Sequence, residues 1–341
     1  LKIFAEIRFA HDALPASKLG KKASTNLGAI QEDIMGMLDR LLSSPEAFIS
    51  DGGMETDLIF HDGAEMPLFA SFVLLDTPEG REMLRRYAIS YFDLAQAKSR
   101  GFVMGTPTWR ANGGWGPRLG LDDAGIRDVN RRAIAFARDL RSAHPWRDHI
   151  LIEGALGPAG DGYAPEQLLT PIEAARLHSA QLETFAEEGV DIASAFTITH
   201  PGEAIGMVNR AHDLGLPFAL SFTVETDGRL PTGQDLGSAL SEVEAATGGY
   251  VRYYGINCAH PEHFSEQLPS RWLNRIGMVR PNASRRSHAE LDEATELDDG
   301  DPEEFGALCA GMAKRLPKLR VVGGCCGSDI RHIRALIAAG I

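Results

Sequence analysis

A rhythm that begins at Ala47 constrains this chain more than any other feature: a short apolar run, a loop and an amphipathic helical stretch, repeated eight times. The apolar runs fall at residues 48–51, 102–106, 150–154, 192–197, 218–223, 253–257, 275–279 and 319–322. Each is continuously apolar, which suits strands of a parallel sheet covered on both faces. The helical stretches carry their own punctuation. Thr77-Pro78 opens one with a capping side chain and a proline in the first turn, and Leu84, Tyr87, Ala88, Tyr91 and Ala95 make its apolar face before Gly101 stops it. Thr170-Pro171-Ile172-Glu173 is a capping box, and Ile126, Val129, Ala133, Phe136, Ala137 and Leu140 form a further stripe. Eight such units predict the α/β class, as a single closed (β/α)8 TIM barrel over residues 46–341 with an N-terminal extension over residues 1–45. An open doubly wound sheet has the same alternation, because periodicity does not report closure. In both, active residues gather at the carboxyl ends of the strands.

The extension mixes an apolar start (Leu1-Lys2-Ile3-Phe4-Ala5), a polar middle and a helical stretch from Ile30 to Leu42. It reads as an arm lying outside the barrel or against a second copy of the chain, with no part in the site; a homo-oligomer is compatible with it.

Over 341 residues, a net charge of -13 argues against nucleic acid or an anionic membrane as the main partner. No apolar run is long enough to cross a bilayer. Four cysteines in a chain of this size are no disulfide framework, and an adjacent pair kept reduced suits a cytoplasmic location.

That pair is the centre of the functional reading. In Val321-Val322-Gly323-Gly324-Cys325-Cys326-Gly327-Ser328-Asp329 a buried strand runs into a helix expected to be capped by Ser328. Neighbouring side chains on a regular strand face opposite ways, so two thiols can meet at one point only where the backbone leaves β geometry, as the flanking glycines allow. A disulfide between adjacent residues is strained, and shared coordination of a soft metal explains the pair better. Cys258, at the end of Tyr254-Gly255-Ile256-Asn257, supplies a third thiol. Three thiolates with a fourth position open describe a catalytic Zn2+ site. Cys309, inside an apolar helical stretch, reads as an inert core thiol. His200 and His260 each precede a proline and read as helix-start residues or supports of the site.

The remaining strand ends carry Asp51-Gly52-Gly53, Trp109, Glu153, Phe196-Thr197, Ser221-Phe222-Thr223, Asn257 and Pro281-Asn282-Ala283. With the cysteine motifs, Asp51-Gly52-Gly53-Met54-Glu55-Thr56, Asp227-Gly228 and Gly255-Ile256-Asn257-Cys258, these make the chain from about Phe48 onward resemble the homocysteine S-methyltransferase family. The resemblance implies a (β/α)8 barrel, zinc on Cys258, Cys325 and Cys326, and an acceptor amino acid held near Asp51, Gly52 and Gly53. One position departs from it. Phe196 stands before Thr197-Ile198, where the family usually has a glutamate that binds the acceptor's amino group. Either Glu153 has taken over that charge, or the acceptor is another thiol; Glu153 paired with an arginine such as Arg110 is the structural alternative.

The implied partners are a small-molecule thiol and a methyl donor. A methyl group would pass from a sulfonium or quaternary ammonium donor to a zinc-bound thiol such as homocysteine, giving methionine. Trp109, Trp115, Phe72 and Phe196 are candidates for an aromatic pocket around the donor's positive charge. A zinc hydrolase and a non-catalytic zinc- or thiol-binding barrel are the competing readings.

Overall fold

The computed structural model describes residues 36–165 and 167–341. The eight apolar runs form the strands β1 Phe48–Ser50, β2 Phe102–Gly105, β3 Ile150–Leu156, β4 Ile192–Ile198, β5 Phe218–Phe222, β6 Tyr254–Asn257, β7 Ile276–Arg280 and β8 Val321–Val322. All run parallel in sequence order, and β8 returns to β1 through Phe48↔Val321 and Ile49↔Val322. The sheet is therefore a closed barrel, which removes the open doubly wound alternative.

In chain order the helices are residues 36–43 (α1), Met54–Phe60 (α2), Pro78–Ala97 (α3), Asp123–Ala143 (α4), Pro171–Glu188 (α5), Pro201–Asp213 (α6), Leu236–Ala246 (α7), Pro261–Phe264 (α8), His288–Asp292 (α9), Pro302–Ala313 (α10) and Ile330–Ala338 (α11). Their ends follow local chemistry. The Thr77 hydroxyl accepts from the Gly80 N–H at 3.0 Å to open α3, and Thr170 and Glu173 close a capping box on α5, which Gly189 ends in a left-handed conformation. At α11 the cap differs from expectation. Asp329, not Ser328, caps the helix, because the Ser328 hydroxyl is committed to the Cys325 carbonyl at 2.8 Å.

Inside the barrel Phe48, Val103, Leu151, Ile192, Ala219, Met278 and Val321 pack together near the amino ends of the strands. Leu38 and Leu41 of α1 join that same cluster. Arg40 donates to the Asp148 carbonyl just before β3, and Arg320 donates to the Ser44 carbonyl just before β1. Of the arm expected outside the barrel, residues 1–35 lie outside the described residues, whereas α1 covers the amino-terminal mouth. Leu41 is fully buried there. Leu41→Ala is expected to lower stability by roughly 2–5 kcal/mol in urea denaturation, as other large-to-small core changes do. Metal content should be unchanged, since the cysteines sit at the opposite mouth.

Candidate metal centre and pocket

Three thiols converge at the carboxyl-terminal mouth. The Sγ atoms of Cys258, Cys325 and Cys326 all lie within 4.8 Å of one another. Cys258 follows β6 with φ +55°, a left-handed conformation uncommon for a residue with a Cβ; its carbonyl is fixed by His288 Nε2 at 2.6 Å and its N–H by the Arg280 carbonyl at 3.1 Å. His288 is in turn bonded to Glu225 at 2.9 Å. The cysteine turn is held by the backbone: Cys325 N–H donates to Pro281 at 2.8 Å, and the Cys326 carbonyl accepts from Ala283 at 3.1 Å. A Cβ on Gly52 would run into the Ser328 carbonyl, and one on Gly53 into that of Cys325. The Asp51-Gly52-Gly53 turn and the cysteine turn can interlock only because both residues are glycine.

Cys258 and Cys325 are joined as a disulfide, with their Cα atoms 5.4 Å apart, while Cys326 is free and 4.0 Å from Cys258 between sulfurs. The two adjacent cysteines are not bonded to each other. Tetrahedral zinc with Zn–S near 2.3 Å asks for sulfurs about 3.8 Å apart, a spacing Cys258 and Cys326 already have. Reduction of the disulfide completes a three-thiol donor set. Burial pushes the Cys326 thiol up to about 11, so without a cation it stays protonated at neutral pH. The Tyr163 hydroxyl lies 3.6 Å from that sulfur. The residues fit a soft divalent metal.

Behind the thiols a second non-glycine residue takes a left-handed conformation: Thr197, at φ +59°, where the pairing of β4 with β5 shifts register. Asn257 holds it at both ends. The Asn257 Oδ1 accepts from the Thr197 N–H at 2.8 Å, and its Nδ2 donates to the Thr197 hydroxyl at 2.8 Å. Such strain persists only where surrounding bonds over-determine it.

Asp51 does not stand free. Its carboxylate pairs with Arg280 at the end of β7 and accepts from Tyr87 at 3.2 Å, while Arg280 also donates to the carbonyls of Gly324 and Gly52 at 3.1 and 3.3 Å. Burial raises the pKa of Asp51, and Arg280 opposes that shift. This pair ties β1, β7 and the cysteine turn together. Nothing in the spacing of the sequence links residues 51 and 280, so the pairing becomes visible only once the barrel is closed.

A cavity of about 370 Å³ opens at these groups, lined by the three cysteines, Asp51, Gly52, Gly53, Thr197 and Asn257 together with Trp109, Arg110, Phe196, Phe60 and Phe69. Asp161, Asp292 and Asp298 stand among its lining residues. Two expected aromatic residues are not among them. Trp115 is buried and donates to the Pro158 carbonyl at 3.0 Å, and Phe72 packs with Ala70, Ala111 and Val129. The histidines serve elsewhere: His260 caps α8, and His200 bonds Thr199 and the Leu169 carbonyl. Cys309 is buried in the core. Tyr163 and Arg110 were not singled out as pocket groups by the sequence, since both come from loops without a recognisable pattern.

Glu153 is fully buried and is not among the residues that line the cavity. It accepts from the Ser194 hydroxyl through Oε1, while Oε2 has no partner among the described residues. The pairing with Arg110 does not occur; the guanidinium whose field reaches Glu153 is that of Arg280. Gly105, its partner across the β2–β3 ladder, lines the cavity and has open space where a Cβ would stand. Burial pushes Glu153 up to about 7. A carboxyl raised in the folded state binds more protons folded than unfolded between about pH 4.5 and 7, so its contribution to stability falls as pH rises through that window. Glu153→Gln is expected to remove roughly 3 kcal/mol of this loss, read as a flatter pH profile of urea midpoints.

The model of the homocysteine S-methyltransferase family matches residues 48–339. Methionine synthases of Mycobacterium leprae and Mycobacterium tuberculosis are 34% and 35% identical over 129 residues, 36% of this chain. The match spans about a tenth of the length of those relatives. The homocysteine methyltransferase MmuM of Escherichia coli, in its metallated form, superposes with a TM-score of 0.69 at 22% identity, covering 88% of this chain and 99% of that one; its oxidised form gives 0.68. Those structures share the fold. A family model spanning the barrel from β1 into α11 shows that the chain belongs to the homocysteine S-methyltransferase family.

Proposed function

We propose that the protein is a zinc-dependent S-methyltransferase that moves a methyl group from a sulfonium or quaternary ammonium donor to a thiol, with homocysteine as acceptor and methionine as product. The observation that carries this is the convergence of Cys258, Cys325 and Cys326 on one point of the cavity wall. A zinc ion held by the three thiolates supplies the Lewis acidity that keeps a substrate sulfur deprotonated at neutral pH. The sulfur lone pair forms a C–S bond to the methyl carbon while the donor's C–S or C–N bond breaks, its electron pair leaving with a neutral thioether or tertiary amine. Gly52 and Gly53 bring backbone close to the acceptor, Asp51 fixes that turn through Arg280, and Asn257 sets Thr197 beside it. Trp109 and Phe196 exclude water from the reacting atoms. Glu153 receives the acceptor's ammonium group through the gap at Gly105, taking the part that a glutamate at position 196 would play.

Phe196 favours a second reading, in which the acceptor is a thiol without an amino group. The two part on one variant: Glu153→Gln should raise KM for homocysteine but not for 3-mercaptopropionate if Glu153 holds the ammonium. Incubating reduced, zinc-loaded protein with homocysteine and either S-methylmethionine or glycine betaine, and assaying methionine, tests the activity itself. Absence of product with every thiol and donor tried would leave only a binding role. A cytoplasmic location suits thiols that must stay reduced, and among the described residues no helix is long and apolar enough to cross a membrane.

A further inference from the structure

The one cation of the cavity wall that lacks a hydrogen-bonding partner among the described residues is Arg110. Its Nε and Nη1 are buried without an acceptor among the described residues, whereas Arg280, the other arginine of the wall, is bonded through Nε and Nη2 to Asp51 and to the carbonyls of Gly324 and Gly52. Burial lowers its pKa to about 10, which leaves it charged at neutral pH. Two nearby carboxylates act on it through space without bonding it. Glu55 is engaged by the Ser71 hydroxyl at 2.8 Å, and Asp161 by the N–H groups of Tyr163 and Ala164 at 2.7 and 3.0 Å. What fixes Arg110 is aromatic: its guanidinium carbon lies 3.5 Å from the Trp115 ring centroid and 4.3 Å from that of Trp109. Stacking occupies the face of the guanidinium and leaves its in-plane N–H donors without an acceptor among the described residues, a lack that a carboxylate bound in bidentate fashion would make good.

We propose that Arg110 is a specificity-determining residue that binds the carboxylate of a substrate, so that the cavity selects molecules carrying an acid group over those carrying only a thiol or only an onium charge. This rests on the methyl-transfer reading for what the molecules are, though not for whether they bind. It also reassigns the tryptophans. Trp109 and Trp115 already hold a cation of the protein, so their rings serve to orient Arg110, and the donor's positive charge is left to acidic residues of the lining such as Asp161 and Asp292.

The carboxylate can belong to the donor or to the acceptor, and matched pairs separate these sources. Binding to reduced, zinc-loaded protein would be measured by calorimetry and by tryptophan fluorescence, using glycine betaine against choline and homocysteine against 3-aminopropane-1-thiol. In the parent, the acid-bearing member of one pair should bind more tightly. Arg110→Gln should weaken that ligand by about 10- to 100-fold and leave its acid-free partner unchanged, with Arg110→Lys recovering part of the loss. Thermal unfolding of both variants checks that the barrel is intact. A response in the betaine pair assigns the carboxylate to the donor, and one in the homocysteine pair assigns it to the acceptor. Equal binding within both pairs in the parent, or unchanged binding in a folded Arg110→Gln protein, overturns the proposal. Loss of methyl transfer with the binding difference intact would instead count against the function proposed above.

Discussion

Replacing Cys326 by serine is expected to leave a folded barrel that neither retains zinc nor forms methionine above the uncatalysed background. A serine hydroxyl does not ionise near neutral pH, so one of three anionic ligands is lost together with a third of the ligand charge that holds a divalent cation. The fold should survive. The cysteine turn is built from backbone hydrogen bonds to Pro281 and Ala283 and from the interlocked glycines, none of which involves a sulfur. Metal analysis and circular dichroism on the reduced variant read the two halves of this expectation, and Cys258→Ser should behave alike. A Cys326→Ser protein that keeps stoichiometric zinc and full turnover would show that the thiols are not the metal site.

Arg280→Met should be the most destabilising single change near the site, costing roughly 3–5 kcal/mol, because it leaves the Asp51 carboxylate buried without its partner. The loss should also be pH-dependent. With the guanidinium gone the aspartate remains destabilising wherever it is ionised, so the variant should regain stability on acidification toward the unfolded aspartate pKa. Adding Asp51→Asn should restore part of the stability, since the amide removes the stranded charge. Urea denaturation of the single and double variants at several pH values gives all three quantities. A single variant as stable as the parent would mean that the pair does not tie β1 to β7.

Much of this architecture is legible in the chain. Continuous apolar runs such as Ile150-Leu151-Ile152 announce strands buried on both faces, and Thr77-Pro78 and Thr170 to Glu173 announce helix starts, because these signals are local. The cysteine pair is legible for the same reason: glycines at positions 323, 324 and 327 mark a turn where two neighbouring thiols can share a point. What stayed hidden depends on contacts across the barrel. The Asp51–Arg280 pair, Tyr163 beside Cys326 and the stacking of Arg110 on two tryptophans join residues far apart in sequence, and no local pattern encodes them. The burial of Leu38 and Leu41 is not legible in the sequence, because a short amphipathic stretch reads equally well as an arm. Residue type alone points to Ser328 as the cap, whereas its hydroxyl bonds the cysteine turn and Asp329 serves the helix.

The most direct test of the mechanism is X-ray absorption at the zinc edge of the reduced protein, recorded before and after addition of homocysteine. Three sulfur neighbours near 2.3 Å with one lighter ligand, rising to four sulfurs once the acceptor is added, are the expected result. A zinc shell that stays at three sulfurs in saturating homocysteine, or that never contains three, would contradict activation of the acceptor by the Cys258, Cys325 and Cys326 site.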